Sequence, residues 1–457
     1  MPQARTFLTM GSMSGPLLLA ATALLLACDT RPAGQSTPSA RTTLAASEAI
    51  AISNVTVVDV TGRAPQSGVT VVIRGHDIAE LGRDVSIPAG AVRVDGTGKF
   101  LIPGLWDMHA HHQGTGAQAV DLFVANGVVG TRDMGGDLDF ILPLRDRIAR
   151  GELLGPEILT TGPILDDRPA HWPFRRRVRN AEEARAAVRD LSARRVDFIK
   201  VHDGTPRDAF FAMAEEAKRV GLPLVGHVPN DVTVEEAIDA GMRSIEHLAN
   251  YRVLNECSAN PPHQQIACDE RFERLAAKRV WQTPTMTFFQ LIPEMFTGKP
   301  LPHAEYASDE LLEMTRQNVK TSKLDERALS FFRTNNQTSL VGIGRMFSRG
   351  VGLLAACDGL VPGFCLHDEL EWLTRAGLTP IQALQAATVN AAAFLDREHT
   401  QGTIAPGQRA DLVLLDADPS TDIRNTRRIA AVVLRGRLVP GPEVNRIVAS
   451  HRRRDAR

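Results

Sequence analysis

Three things are scarce in this 457-residue chain, and each scarcity narrows what it can do. Net charge is −1, with 52 Lys and Arg against 53 Asp and Glu. So balanced a chain has no electrostatic footprint for nucleic acid or a broadly charged partner. There are five cysteines and no Cys-x-x-Cys pair, which argues against a cysteine-based zinc site. The apolar stretch from Leu17 to Ala27 is too short to span a bilayer. No internal repeat is visible beyond an alternation of strand-like and helix-like segments. What is present is 43% hydrophobic residues, enough for a globular core, in a length that suits a barrel with an appendage.

The short apolar stretch, preceded by Arg5, reads as the h-region of a secretion signal over residues 1–27. It ends in Leu25-Leu26-Ala27-Cys28, which resembles a bacterial lipobox. That resemblance implies cleavage before Cys28 and lipidation of Cys28; the alternative is an ordinary signal peptide with a chance cysteine. Asp29 follows and, in enteric bacteria, resembles an inner-membrane retention signal. Residues 28–46 are rich in Ser, Thr, Pro, Gly and Ala and read as a flexible tether. The expected location is outside the cytoplasm, with the chain held by lipid alone to a bacterial membrane facing the periplasm or exterior. In an exported chain the remaining Cys257, Cys268, Cys357 and Cys365 permit disulfides. The sequence-local pairings are Cys257 with Cys268 and Cys357 with Cys365, the second bracing the loop after Asp358. All three connectivities stay open.

The richest segment is Pro103-Gly104-Leu105-Trp106-Asp107-Met108-His109-Ala110-His111-His112. In an extended strand, side chains at i and i+2 share a face, so His109 and His111 can grip one ion together. Four later apolar runs end in the same manner. Val196 to Ile199 leads into Lys200, Leu222 to Gly226 into His227, Met242 to Glu246 into His247, and Val351 to Cys357 into Asp358. Short apolar runs alternating with helical stretches read as buried parallel strands. In a βα barrel, functional groups sit at the C-terminal ends of several strands.

The flanks differ in texture. Ala51–Val58 and Val69–Ile73, then a turn at Gly96–Gly98, are β-rich, and so are Asp411–Leu415 and Ile429–Leu438. The expected domains are thus a first β-sandwich segment over 47–102, a barrel over 103–400, a second β-sandwich segment over 401–445, and a basic tail over 446–457 that frays from His451 onward. Within the barrel, Asn180 with Glu183 marks a helix start by a capping box, and Thr379-Pro380 marks another. The stretch from Arg252 to about Gly350 exceeds one βα unit and is expected to include an insertion or lid over the barrel mouth.

Taken together, these motifs resemble the metal-dependent amidohydrolase superfamily, and within it the imidazolonepropionase-related, Xaa-Pro dipeptidase-like branch. The resemblance runs from about Ile52 to Val439. It also rests on Asp197 to Val201, Gly226-His227-Val228-Pro229, Ile245-Glu246-His247-Leu248, Cys357-Asp358-Gly359, and the tail Gly402 to Val413. It implies an α/β fold, a (β/α)8 TIM barrel with a small composite β-sandwich built from both chain ends. It also implies two zinc ions: His109, His111 and Asp358 on one, His227 and His247 on the other, and Lys200 bridging them as N6-carboxylysine. The implied chemistry is amide hydrolysis by a metal-activated hydroxide, with Asp358 as proton shuttle. Its substrates would be small dipeptides or N-acyl amino acids.

Plainer roles compete. The histidines can be core residues, Asp358 a helix cap, and Lys200 a salt-bridged strand end in a one-metal enzyme. His202, two residues after Lys200, and His367, just after Asp358, are weaker candidates for touching substrate; His367 equally suits an exposed helix position. Arg175, Arg176 and Arg177 suit a substrate carboxylate or a solvated loop. Cys357 stands where relatives often carry a small hydroxyl residue. The same site would also serve a lactone, carbamate or organophosphate ester, and a non-catalytic metal-binding lipoprotein is a third reading. Association into a homo-oligomer is left open. For the anchor, labelled palmitate fed to expressing bacteria is expected to enter the wild type and not Cys28→Ala; an unlabelled wild type would remove the lipobox reading.

Overall fold

The computed structural model describes residues 49–168, 174–249, 251–255, 262–322 and 324–453. The signal sequence, Cys28, the tether and Cys257 lie outside the described residues. Among the described residues no helix is long and apolar enough to cross a membrane.

Both chain ends contribute to a single sheet. Its eight strands run in the order Arg437–Pro440, Ile429–Leu434, Leu412–Leu415, Phe100–Pro103, Ile50–Val57, Gln66–Arg74 and Asp77–Gly82, with Val92–Asp95 also paired to Ile50–Val57. The seam is antiparallel, with Leu412 opposite Pro103, Val413 opposite Ile102, Leu414 opposite Leu101 and Leu415 opposite Phe100. Strand residues alternate between faces, and here both faces are apolar. Leu101, Leu412 and Leu414 pack with Ile52, Val55, Val71 and Ile73. Ile102, Val413 and Leu415 point the other way, into the core that also holds Leu165, Ile199 and Val201. One strand pair therefore belongs to two cores, so the flanks fold onto the middle of the chain.

The middle is built of parallel strands. Leu105–Ala110, Val128–Asp133 and Glu157–Thr160 form one set; Ile164–Asp166, Ile199–Val201, Leu224–Gly226, Ser244–Glu246 and Trp281–Thr283 form the other, with Arg175–Arg177 at its edge. Asp197 N donates to Thr160 O at 2.8 Å and links the two sets. Helices Ala181–Ala193 and Arg207–Val220 bury Ala184, Ala187, Val188 and Leu191, and Ala209, Phe210, Met213 and Ala217, in the same core as the strands. The arrangement is a mixed α/β fold of the TIM-barrel-like kind.

Some expectations need correction. The expected strand over 351–357 is an isolated bridge between Leu353 and Gln282. Its backbone divides its hydrogen bonds: Gln282 N donates to Gly352 O at 2.9 Å, while Met108 N donates to Ala355 O at 3.0 Å and Ala355 N to Ala386 O at 3.0 Å. The segment thus spans from Trp281–Thr283 back to Leu105–Ala110 without a regular ladder. The 252–350 stretch holds strand Trp281–Thr283 together with helices Met286–Phe296, Asp309–Ser322 and Glu326–Ser348, more than one βα unit needs. Helix Gly441–His451 takes up the start of the basic tail, buries Val444 and Ile447 and brings His451 Nε2 to 2.7 Å from Asp121 Oδ1; residues 454–457 lie outside the described residues. At Asn180 only half of the capping box forms. The Asn180 side chain accepts from Glu183 N, but Glu183 turns to Arg179, whose N–H donates to it at 2.9 Å. At Thr379 the box with Gln382 is complete, with Pro380 in the first turn.

Candidate metal centre

The structure brings the six expected ligands together. His109 is near the end of Leu105–Ala110 and His111 just past it; Lys200 is the middle residue of Ile199–Val201; His227 and His247 follow Leu224–Gly226 and Ser244–Glu246. Lys200 Nζ is 3.2 Å from His109 Nε2. One Asp358 oxygen lies 3.3 Å from His109 Nε2 and 3.4 Å from His111 Nε2, and the other lies 3.8 Å from His247 Nε2. The His247 ring is 4.7 Å from that of His109 and 4.9 Å from that of His227, centre to centre. His109, His247 and Asp358 offer ligand atoms close enough to hold one ion. Cys357 and Cys365, which lie near Asp107, are joined to each other as a disulfide, so those sulfurs are no metal ligands.

Backbone conformation delivers these side chains. Gly226 has φ +122°, and a Cβ there would sit 2.2 Å from Val201 O. Only glycine lets the strand pass Val201 this closely and present His227. His247 and Asp358 both take left-handed φ, +56° and +59°, a region that costs a residue with a Cβ about 1–2 kcal/mol. Such outliers persist where surrounding contacts hold them and gather at functional sites.

A second layer fixes ring orientation. His109 Nδ1 is 2.9 Å from Glu246 Oε2, His111 Nδ1 is 3.1 Å from Gly135 O, and His247 Nδ1 is 2.6 Å from Thr285 Oγ1. For all three, Nε2 faces Asp358. His227 Nδ1 lies 2.8 Å from Asp203 Oδ1. Outer partners of this kind set the tautomer and raise the basicity of a ligating imidazole. Glu246 is itself held by Arg132, whose guanidinium reaches both carboxylate oxygens at 2.9 Å, Ser244 Oγ at 2.9 Å and Met108 O at 2.6 Å. Arg132 and Glu246 are both fully buried.

Burial governs the charges. It holds His109 far below the usual imidazole range, helped by Lys200 and His247, and takes His247 down to about 3. Both rings are therefore neutral, the form that binds a cation. Burial draws Lys200 down to about 8 even though Asp358 and Glu246 pull the other way. For Asp358 burial pushes upward, but His247, His111 and Lys200 outweigh it and hold the carboxylate ionised, well below its usual range.

The weaker candidates divide. His202 is at the centre's margin, its ring stacked on His227 at 4.0 Å and its Nδ1 3.4 Å from Asp166 Oδ2. His367 is neither a substrate contact nor exposed. It is buried, with Nδ1 2.9 Å from Thr426 Oγ1 and Nε2 3.1 Å from Asn126 O, because its helix turns that face into the core. Arg175, Arg176 and Arg177 form a short strand, and their guanidiniums pair with Asp166, Asp190 and Asp167. His112 turns from the centre to Thr131 Oγ1 at 2.8 Å. The sequence reading passed over Glu246, Arg132, Asp203 and Thr285. Glu246 carried a signal, since Ser244 and Glu246 share one strand face. Asp203 stood beside His202. Arg132 carried none, its side-chain partners Ser244 and Glu246 being more than a hundred residues away.

The amidohydrolase family profile matches residues 100–439. The chain belongs to the amidohydrolase family. It is therefore an enzyme, a hydrolase, of a family that is typically metal-dependent, and its His and Asp groups suit a metal. Ochratoxinase of Aspergillus niger is 22% identical over 449 residues, spanning 83% of this chain and 84% of that protein. Imidazolonepropionase of Rubrobacter xylanophilus is 25% identical over 409 residues, spanning 82% of this chain and 91% of that protein. A Xaa-Pro dipeptidase solved with methionine in its active site superposes with a TM-score of 0.66 at 20% identity, over 86% of this chain and all of that one; this likeness concerns the fold.

For the amidohydrolase centre, Arg132→Met is expected to lower unfolding free energy by about 3–5 kcal/mol, because it strands Glu246 as a buried unpaired charge. Arg132→Met with Glu246→Leu should recover most of that loss while metal affinity falls about 10–100-fold through the lost His109 anchor. Urea unfolding and metal titration read the two effects separately.

Proposed function

We propose that this chain is an exported, metal-dependent amidohydrolase that cleaves amide bonds of dipeptides or N-acyl amino acids. The observation that carries this reading is the meeting of four imidazoles and Lys200, on or just past parallel strands, with Asp358, which an irregular segment brings in. In it, His109, His111 and Asp358 hold one zinc ion, His227 and His247 hold a second, and Lys200 joins them as N6-carboxylysine. The strands then close as an eight-stranded barrel, with the two-ended sheet completing a β-sandwich and Cys28 carrying the lipid.

The donor set fits zinc, which takes imidazole nitrogen and carboxylate oxygen. Lys200 as an ammonium would be a cation beside neutral imidazoles, whereas its carbamate is an anionic ligand. A pKa near 8 supplies the neutral amine that carboxylation requires. When bound, the metal ions supply Lewis acidity to water and to the acyl oxygen. Asp358, ionised and facing three imidazoles, accepts a hydrogen bond from the attacking water, takes its proton and returns it to the leaving amine. Glu246, Gly135 and Thr285 keep the rings from turning meanwhile.

The surroundings bear on substrate choice. On one side His247 borders Phe289 at 5.7 Å, within a cluster that includes Tyr251, Ile292 and Phe332. On another, His227 meets Asp203 and His202, with Arg168 3.9 Å from Asp203. An amide with an apolar or aromatic group on one flank and a charged terminus on the other matches this polarity.

The test is hydrolysis of a panel of dipeptides and N-acyl amino acids by the zinc-loaded soluble form, read as released amine. Apolar or aromatic side chains should be preferred, and Asp358→Asn should lower kcat by about 10²–10⁴-fold. Silence across the panel with metal bound would sink the peptidase reading and turn attention to lactones, carbamates and phosphate esters. For Lys200, protein freed of metal and equilibrated with 13C-bicarbonate should give a carbamate resonance absent from Lys200→Ala. Its intensity should rise as pH climbs through about 8, where the ammonium loses its proton, and fade in acid. No resonance at any pH would remove the bridge.

A further inference from the structure

We propose that the disulfide Cys357–Cys365 holds Asp358 in its centre-facing, left-handed conformation, making both cysteines positioning residues for catalysis. This rests on the role assigned above to Asp358. That residue carries a Cβ yet has φ +59°, so something must hold it there. On its N-terminal side the restraints are plain: Asp358 N donates to His109 O at 2.8 Å, and Cys357 N donates to Asp107 Oδ1 at 3.1 Å. On its C-terminal side the loop is packed, with Gly359 to Gly363 buried and Leu360 and Val361 in the core. Gly359 and Gly363 both have positive φ, +74° and +76°, and the chain between them forms no helix or strand. The packed loop and the Cys357–Cys365 bridge are thus the two restraints that follow Asp358.

The disulfide bypasses the loop. It ties the residue just before Asp358 to the second residue of helix Phe364–Arg375. That helix is firmly anchored. His367 bonds Thr426 and Asn126. Glu369 accepts from Met286 N at 3.0 Å and from Thr287 N at 2.8 Å. Leu366, Leu370 and Leu373 are fully buried. His367 and Glu369, two buried titratable groups outside the metal centre, thus fix Cys365, and the sulfur bridge passes that fixity to Cys357 and Asp358. The bland alternative is a crosslink that only stabilises the fold by constraining the unfolded chain. The two differ in what they do to the folded enzyme.

The comparison is wild type against Cys357→Ala/Cys365→Ala, each purified with its metal and again with cobalt in its place. Positioning predicts a kcat at least tenfold lower, KM within about twofold, and a changed visible spectrum of the cobalt form as the Asp358 carboxylate shifts. An unchanged kcat and cobalt spectrum with only a lower Tm would overturn the proposal. If the double variant does not fold, graded phosphine reduction of folded, cobalt-loaded wild type replaces it. Two electrons convert the bridge to two thiols while the phosphine takes oxygen from water, and thiols are counted by mass. The spectrum should change in step with thiol count and return on reoxidation; a spectrum indifferent to reduction overturns the proposal. Because the spectrum needs no substrate, an inactive wild type would count against the proposed function and leave this test intact.

Discussion

Everything at this centre leans on one buried carboxylate. Glu246 is shared between the Arg132 guanidinium and the His109 imidazole, with no solvent to screen any of the three. Arg132 reaches across from Val128–Asp133 to Met108 O and Ser244, so three strands converge on it. A charge pair taken out of water has a high desolvation cost, recovered only when geometry is good and the remaining donors and acceptors are filled. Here they are filled, and the outcome is a His109 ring that cannot rotate. The ion pair is better understood as a device for orientation than as a source of net stability.

The same burial separates the charge states of the site. Desolvation favours neutral forms; His109, His247 and Lys200 all shift that way. Asp358 goes the other way, because His247, His111 and Lys200 surround it, and Asp203 does the same beside His227. Neutral imidazoles with one ionised carboxylate form a donor set suited to a divalent cation. The backbone reinforces the choice: His247 and Asp358 both sit in left-handed conformations that a residue with a side chain ordinarily avoids, and neighbouring contacts hold them there.

Positions that announce themselves in the sequence are those whose chemistry is local. His109 and His111 share a strand face by spacing alone, and His227, His247 and Asp358 each close an apolar run. The Cys357–Cys365 pairing, an expectation from short separation, is present. His367 misled because a histidine soon after a ligand looks functional, while its burial depends on Asn126 and Thr426, far away in the chain. The 351–357 run misled in another way. Its β-rich texture is real, but its backbone bonds go to different partners on either side, so no regular ladder forms.

The amino-acid sequence by itself determined the alternation of strand and helix over most of the middle of the chain and the six candidate ligands, because hydrophobic period and residue chemistry are properties of neighbouring positions. Tertiary structure alone decided that Arg132 meets Glu246, that Asp203 and Thr285 turn the rings of His227 and His247, and that His367 and Glu369 anchor the helix carrying Cys365. These contacts join residues tens to hundreds of positions apart. Their energy depends on distance and on the exclusion of water, and neither is written in local sequence.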